Sequence, residues 1–428
     1  MKYNLLRIFL VLVISTTFAE DSISDKQVEY PEKRHSLQTW EYIVNAPGYV
    51  ALIPFWTLDY ALKPVTYAIL ETKVIEKTVD LLTSDDGKRG IIPVYDVRTG
   101  AGATLYQVDP LFTGSVMQLT ATGWSGGRTS LQMHWNNIAL MGPVYSSLSL
   151  LYYNYTDEPF FGIGNDIPLN NEAEYKLKQF HGSMSMGVAL NKSNRLSTRI
   201  GYEQNRVSEW EKADNLVLSE AFTNYPGSLF GYINPLDKVK LAFGEVQYQL
   251  DSRDAVGNPT KGWQLSLNGA LFKQTDGDKY GFYRGTMDVS KYLHLFYNRV
   301  LVFRAAGQIT TSFRDGQIPF FYLSELGRRE TIRGYERGRF REKDKVLGSI
   351  EYRFPIMKRY RPGRETGSID MVLFVDSGKV SPDITDNFSD GFHNTYGFGF
   401  RLYTSKALMM QFYTGYSDDG VRMYFVLN

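Results

Sequence analysis

The stretch ETIRGYERGRFREKDKVLGSIEYRFPI, Glu330 to Ile356, sets seven cationic side chains among glycines and aromatics and then turns into a period-two run. Arg this dense beside a strand fits three readings: a nucleic-acid patch, a solvated charged loop, or a polar plug held inside a body that is apolar on its outside. The rest of the chain bears on the choice. Its 428 residues carry 47 Lys and Arg against 46 Asp and Glu, a formal net charge of +1. That balance argues against a general polyanion binder, so no nucleic-acid partner is expected. The absence of Cys excludes a disulfide scaffold, a thiolate metal site and a cysteine nucleophile. High aromatic content, including 30 Tyr, suits a β-rich protein better than a helical membrane protein.

The N-terminus, MKYNLLRIFLVLVISTTFAEDS, has Lys2 and Arg7 before an apolar run from Ile8 to Ile14, with Thr17 and Ala19 spaced as a cleavage site. This pattern predicts a signal peptide over 1–19, because a spanning helix needs about 20 apolar residues. Export from the cytoplasm follows, and no later run is long enough for a transmembrane helix. Residues 20–44 are polar and mixed in charge, which predicts disorder. In 45–90, Leu58, Leu62, Val65, Ile69 and Leu82 recur at helical spacing, Pro64 suits a first turn, and Asp85-Asp86-Gly87 supplies a stop. An amphipathic helical segment is expected there. It has three possible roles: lying on a membrane surface, closing the mouth of the next domain, or ordinary packing.

From residue 91 to 428 the pattern becomes short alternating segments punctuated by Gly, Asn, Asp and Pro. Trp263, Leu265 and Leu267 alternate with Gln264, Ser266 and Asn268. Leu301, Phe303, Ala305 and Ile309 alternate with a face carrying Arg304. Ile369, Met371, Leu373 and Val375 oppose a face bearing Asp370 and Asp376. A soluble sandwich also alternates. Here, however, many segments reach ten or more residues, against about 5–6 for an ordinary strand. Their polar faces carry ions mid-strand, among them Arg199, Arg304, Glu351 and Arg353. One sheet with an oily exterior and a charged, wet interior accounts for both facts. The fold expected is all-β, a transmembrane antiparallel β-barrel of about 16 strands preceded by the short amphipathic segment. A bilayer demands that such a sheet be closed. With an even strand count, the connection from Arg314 to Asp344 is an outward-facing loop. Its aromatics favour folding inward, whereas charge alone would also suit solvent.

At these residues the chain resembles the BamA/TamA superfamily of outer-membrane barrels, the bacterial surface antigen family. TIRGYERGRF, with Arg333, Gly334 and Tyr335, resembles the Arg-Gly-aromatic motif of the family's long sixth loop. FVDSG, with Phe374, Asp376 and Gly378, is similar to its Phe-x-Asp-x-Gly strand motif. DSRDAVGNPTKGW, with Asp251, Arg253, Asp254, Pro259 and Gly262, resembles its periplasmic turn, and FFGIGND at Phe160–Asp166 an early loop motif. The resemblance covers residues 91–428. It implies a bacterial outer-membrane location, a loop folded into the lumen, and Arg333 paired with Asp376. It also implies a partable seam between the first and last strands, and assistance to insertion or translocation of proteins, or of lipid. Pro93 in the first strand cannot donate to a ladder and suits a weak edge, though a bulge would also accommodate it. Two departures stand out. The chain ends YFVLN without a terminal aromatic, and the residues before the barrel lack the strand-helix-helix-strand-strand order of a POTRA domain. POTRA domains are therefore read as absent.

The five histidines, His35, His134, His181, His294 and His393, form no HExxH pair and no clustered ligand spacing. No G-x-S-x-G elbow occurs. Thr275–Gly281 lacks the length and terminal Glu of a calcium loop, and Gly123–Gly127 reads as a turn. No cofactor, metal or enzymatic activity is expected. Expected partners are outer-membrane lipid, client outer-membrane or exported proteins, and a periplasmic protein meeting the 45–85 helix. The alternative function is a passive or selective channel that keeps the fold without assembly activity. A third reading, a membrane hydrolase, would require an inward Ser and His within hydrogen-bonding distance.

Overall fold

A sheet that separates two unlike solvents must alternate its side chains, and from Arg89 onward the chain does so. The computed structural model describes residues 81–96, 100–111, 114–210, 216–224, 238–313, 316–361, 364–385, 388–404 and 408–427. The expected signal peptide at 1–19, the disordered stretch at 20–44 and the 45–90 helix up to residue 80 lie outside these. The Asp85-Asp86 stop forms a turn, and β1 starts at Arg89, two residues before the expected boundary.

The strands are β1 (Arg89–Asp96), β2 (Gly100–Pro110), β3 (Val116–Trp124), β4 (Thr129–Met141), β5 (Val144–Phe160), β6 (Ala173–Ala189), β7 (Asn194–Glu209), the two-residue β8 (Leu216–Val217) and β9 (Lys238–Asp251). They continue with β10 (Gly262–Gln274), β11 (Gly281–His294), β12 (Val300–Ser312), β13 (Ser324–Leu326), β14 (Phe340–Glu342), β15 (Asp344–Arg361), β16 (Arg364–Ser381), β17 (His393–Thr404), β18 (Leu408–Ser417) and β19 (Gly420–Leu427). Setting aside β8, β13 and β14, sixteen strands form one antiparallel meander from β1 to β19. This is the barrel-type sheet and strand number that the alternation predicts. Short turns gather at one rim, and longer connections, including 161–172, 210–237 and 313–343, at the other. Outer-membrane barrels put short turns at the periplasm and long loops outside.

Closure is where the structure differs from expectation. Among the described residues the one strand paired with β1 is β2, apart from a single bridge of Thr83 to Gly90, and β19 pairs only with β18, so the sheet is open along that seam. Local chemistry favours a weak seam. Val108 donates its backbone N–H to the Lys88 carbonyl at 2.8 Å. This sets the phase of the β1–β2 ladder, in which residues in register with Lys88 and Gly90 exchange bonds and the odd-numbered ones turn their N–H away. Pro93 is odd-numbered. Its missing donor therefore falls on the free edge, where a proline is tolerated.

The two faces follow the alternation. Leu105, Leu131, Ile200, Ile309, Val375 and Met423 are each more than half exposed on the outside. Val372, Phe374 and Asp376 on the opposite face of β16 are buried. The mid-strand ions find partners inside: Arg199 with Glu245 at 2.7 Å, Arg304 with Asp288 at 2.6 Å, and Arg353 with Glu351 at 2.6 Å.

Two apolar clusters fill the lumen. In one, inward aromatics of β5 to β11 meet Ile318, Phe320, Tyr322 and Leu323 of the long loop. Also in it is a helix the sequence reading did not expect, α1 (Leu218–Asn224), whose Phe222 stacks on Phe160 at 4.7 Å. In the other, Leu326, Ile332, Tyr335 and Phe340 of the same loop pack on Ala306, Leu347 and Val380. No helix among the described residues is long and apolar enough to cross a membrane.

Ile200 tests the assignment of faces, because its side chain is 66% exposed on the outer face of β7. Ile200→Arg is expected to lower folding stability in a bilayer by up to about 2–4 kcal/mol, with the effect largest near the midplane. Fraction folded can be read by heat-modifiable gel mobility across a urea series. An unchanged midpoint would contradict the placement.

Candidate functional site: a guanidinium lock in the lumen

The loop between β12 and β15 folds back as a hairpin, β13 against β14, with Leu326 opposite Phe340. Its tip carries the Arg-Gly-Tyr motif into the lumen, where Arg333 is 4% exposed and Asp376 0%. Strand register prepares the receptor. Ser349 on β15 lies opposite Asp376 on β16, which lies opposite Thr395 on β17. The three form one row across adjacent strands on the inward face.

Arg333 docks on that row as a fork. Nε donates to Asp376 Oδ2 at 2.8 Å and Nη2 to Oδ1 at 2.6 Å, while the Arg333 backbone N–H donates to Oδ2 at 3.0 Å. The hydroxyl of Ser349 donates to Asp376 Oδ1 at 2.6 Å, and that of Thr395 to Oδ2 at 3.5 Å. Nη1 turns to Glu351 Oε1 at 2.5 Å, and Nη2 also reaches Ser349 Oγ at 3.1 Å. The guanidinium carbon stands 3.6 Å over the Phe374 ring. Such a planar fork suits a carboxylate and an aromatic face together.

The neighbouring motif residues take distinct places. Gly334 has φ +104, a left-handed conformation that strains a residue with a Cβ. Its carbonyl accepts from Ser417 Oγ at 2.8 Å. Tyr335 is buried in the second apolar cluster, and its carbonyl accepts from Tyr424 Oη of the last strand at 2.6 Å. Gly378 packs against Ile332 of the loop. Other loop arginines also find carboxylates: Arg337 with Glu158 at 2.9 Å, Arg339 with Asp419 at 2.6 Å and Arg341 with Glu325 at 2.5 Å. Burial pushes the Glu325 carboxyl up, but Arg341, with Arg337, Lys345 and Arg328, holds it below the usual glutamate range.

FFGIGND ties this hairpin to the outer rim. Gly164 donates its N–H to the Arg341 carbonyl at 2.8 Å. Asn165 Oδ1 accepts from the Val380 N–H at 3.1 Å, and its Nδ2 donates to the Gly391 carbonyl at 2.7 Å.

The periplasmic-turn motif lies at the opposite rim and does not join the lock. There Asp254 Oδ1 accepts N–H groups of Ala255, Thr260 and Lys261 at 2.9–3.2 Å, and Arg253 forks onto Asp251 at 2.6 and 2.8 Å. Pro259 sits in the same turn, and Gly262 opens β10. Pro93 lies apart from both, on the seam.

Sequence reasoning did not identify Ser349, Thr395, Ser417 or Gly415 as parts of the site. Gly415 had a readable signal, since a glycine within a strand often marks close approach of another backbone. A Cβ there would stand 2.7 Å from the Gly334 nitrogen. The hydroxyl residues had none, because only register brings them to Asp376. Among the described residues no group of three or more His, Asp or Glu side chains converges as a metal site.

A sixteen-stranded sheet with an oily skin, an ionic lining and a loop folded into its lumen defines a plugged barrel of the outer membrane. The chain belongs to the Omp85 superfamily, whose domain model matches residues 109–417, the family its loop motif predicts. The fold is similar to the crystal structure of BamA from Haemophilus ducreyi lacking POTRA domains 1–3, at TM-score 0.57 and 17% identity, over 79% of this chain and 69% of that one. It is also similar to CdiB from Escherichia coli, at TM-score 0.50 and 12% identity, over 76% of this chain and 58% of that one. CdiB from Acinetobacter baumannii matches at TM-score 0.48 and 12% identity, over 78% and 57%. No curated protein sequence matches the chain. At these identities the likeness to solved structures is one of fold.

Arg333→Ala leaves the Asp376 carboxylate buried without its cation, at an expected cost of about 3–5 kcal/mol, less where lumen water reaches the orphan. Arg333→Lys keeps the charge and loses the fork, at an expected cost of about 1.5–3 kcal/mol. Urea midpoints of the barrel in detergent should rank wild type, Lys and Ala in that order. Equal midpoints would mean the pair does not hold the fold.

Proposed function

We propose that this barrel assists insertion or translocation of proteins at the outer membrane, without covalent chemistry in that role. The observation that carries the reading is the seam. β19 and, beyond the Thr83–Gly90 bridge at its start, β1 present an edge free of ladder partners among the described residues. A free edge is a template for adding a strand, with main-chain hydrogen bonds supplying affinity and alternate side chains supplying selectivity. The locked loop supports the wall beside that edge, since its Gly334 and Tyr335 carbonyls are held by Ser417 and Tyr424. Membership of the Omp85 superfamily supports the same reading. On this reading residues 1–19 direct export, and the 45–85 segment meets a periplasmic partner. A solute channel would need a clear lumen, and the apolar clusters formed by the loop oppose that alternative.

The chain has no native Cys, which makes the seam simple to staple. Cysteines at Ile91 of β1 and Phe425 of β19, both on the outer face, joined by a short reducible linker in the folded protein, are expected to reduce insertion of a client barrel into liposomes more than tenfold. Reduction should restore it. Planar-bilayer conductance, recorded in parallel, should not follow the staple. If the stapled barrel inserts clients at the unstapled rate, the seam is not where clients engage.

A further inference from the structure

A second polar constellation lines the lumen on β6 and β7, apart from the Arg333 lock. His181 and Ser183 are two residues apart on β6 and share its inward face, and Glu203 of β7 lies directly opposite His181. His181 Nδ1 is 2.8 Å from Glu203 Oε1, and His181 Nε2 is 2.9 Å from Ser183 Oγ. A carboxylate only accepts, so the ring proton belongs on Nδ1. Nε2 is thereby left as the acceptor of the Ser183 hydroxyl proton. Glu203 is itself oriented: the Tyr322 hydroxyl of the long loop donates to its Oε2, and Asn205 Nδ2 donates to the Tyr322 oxygen at 3.0 Å.

A nucleophile within about 2.6–3.2 Å of a base that is in turn hydrogen-bonded to an orienting acid constitutes the relay of a serine acyl-transfer site. Such a relay is recognised by geometry and not by a linear motif. The surroundings add a candidate electrophile. Arg199 on β7 faces Ser185, diagonal to Ser183, and its buried Nε has no hydrogen-bond partner. Ser149 of β5 lies directly across from Ser183, with its own hydroxyl 3.1 Å from His134 Nδ1. The Phe243 ring, 5.3 Å from the His181 ring, supplies an apolar wall.

We propose that Ser183, His181 and Glu203 form an acyl-transfer centre on the lumen wall that accepts a carboxylic ester slender enough to enter the barrel. Ser183 Oγ bonds to the ester carbonyl carbon as its proton passes to His181 Nε2, and the carbonyl oxygen gathers negative charge towards Arg199. The ester C–O bond then breaks, and the alkoxide leaves with the proton from His181. Lumen water attacks the acyl-serine, gives a proton to His181, and releases the acid while Ser183 recovers its proton. The balance is ester plus water to acid plus alcohol. Tyr322 is a positioning residue that makes the centre depend on how the loop is seated. This activity is independent of strand exchange at the seam, so either can fail alone.

The test is covalent capture with a fluorophosphonate probe on the full chain, folded in detergent and checked by heat-modifiable mobility. One adduct is expected, mapped by peptide mass to Ser183, and mapping on the wild type decides the site whether or not any variant folds. Ser183→Ala should abolish labelling. His181→Ala should slow it by about 10²–10⁴-fold, the usual contribution of a general base. Tyr322→Phe should slow it several-fold and leave the adduct on Ser183, a rate effect that mere packing would not produce. Absence of an adduct on folded wild type at pH 8, an adduct on another residue, or wild-type labelling of Ser183→Ala overturns the proposal.

Discussion

The structure turns on keeping one guanidinium ionised and fully hydrogen-bonded away from bulk water. Stripping an ion of solvent costs several kcal/mol even after relaxation, and only good geometry with saturated hydrogen bonding offsets it. Arg333 meets that condition with two carboxylates, a serine and an aromatic face. These partners come from the paired strands β15 and β16, and Thr395 of β17 braces Asp376 from its other side, so the lock and the sheet register specify each other. A slip of one residue in β16 would carry Asp376 to the lipid side and Val375 inward. The ion pair therefore discriminates against misregistered barrels as well as fastening the loop.

The loop also bridges parts of the wall that are far apart in sequence. Its first arm places Tyr322 against Glu203 and Asn205 of β7 and passes its carbonyl to Arg284 of β11 at 2.6 Å. Its second arm reaches Ser417, Asp419 and Tyr424 at the C-terminal end of the sheet. The two edges at the seam consequently differ in kind. The β19 side is buttressed by the plug, whereas β1 carries a proline whose missing donor lies on the free side. A sheet so built has one stiff lip and one with weakened pairing, which bilayer physics alone, favouring closure, would not suggest.

Much of the wall was legible in the sequence because a strand between lipid and water obeys a period of two. Phe303 and Ile309 against Arg304, or Val375 against Asp376, declare their faces before any partner is known. The buried residues of the loop were legible less directly. Composition allowed either solvent or lumen for TIRGYERGRF, and the pairing of Arg333 with Asp376 rested on resemblance. Ser349 and Thr395 were illegible for a physical reason, since a cross-strand row exists only once the register is set. Helix α1 escaped because its apolar positions, Leu218, Ala221 and Phe222, span fewer than two turns and resemble a loop.

The same inward faces yield two kinds of polar cluster, and the difference lies in what remains unoccupied. Asp376 accepts from the Arg333 side chain and backbone and from two hydroxyls, so neither of its oxygens is left for another partner. Nothing there can move without leaving a buried charge unanswered, and the cluster is suited to holding. Around His181 the count runs otherwise. Glu203 accepts from His181 on one oxygen and from Tyr322 on the other, but the Ser183 hydroxyl engages the imidazole alone among its described bonds and keeps its lone pairs free. A proton can pass from oxygen to nitrogen along that contact while the carboxylate stays in place. Polar saturation thus separates a lock from a centre poised for chemistry within one barrel.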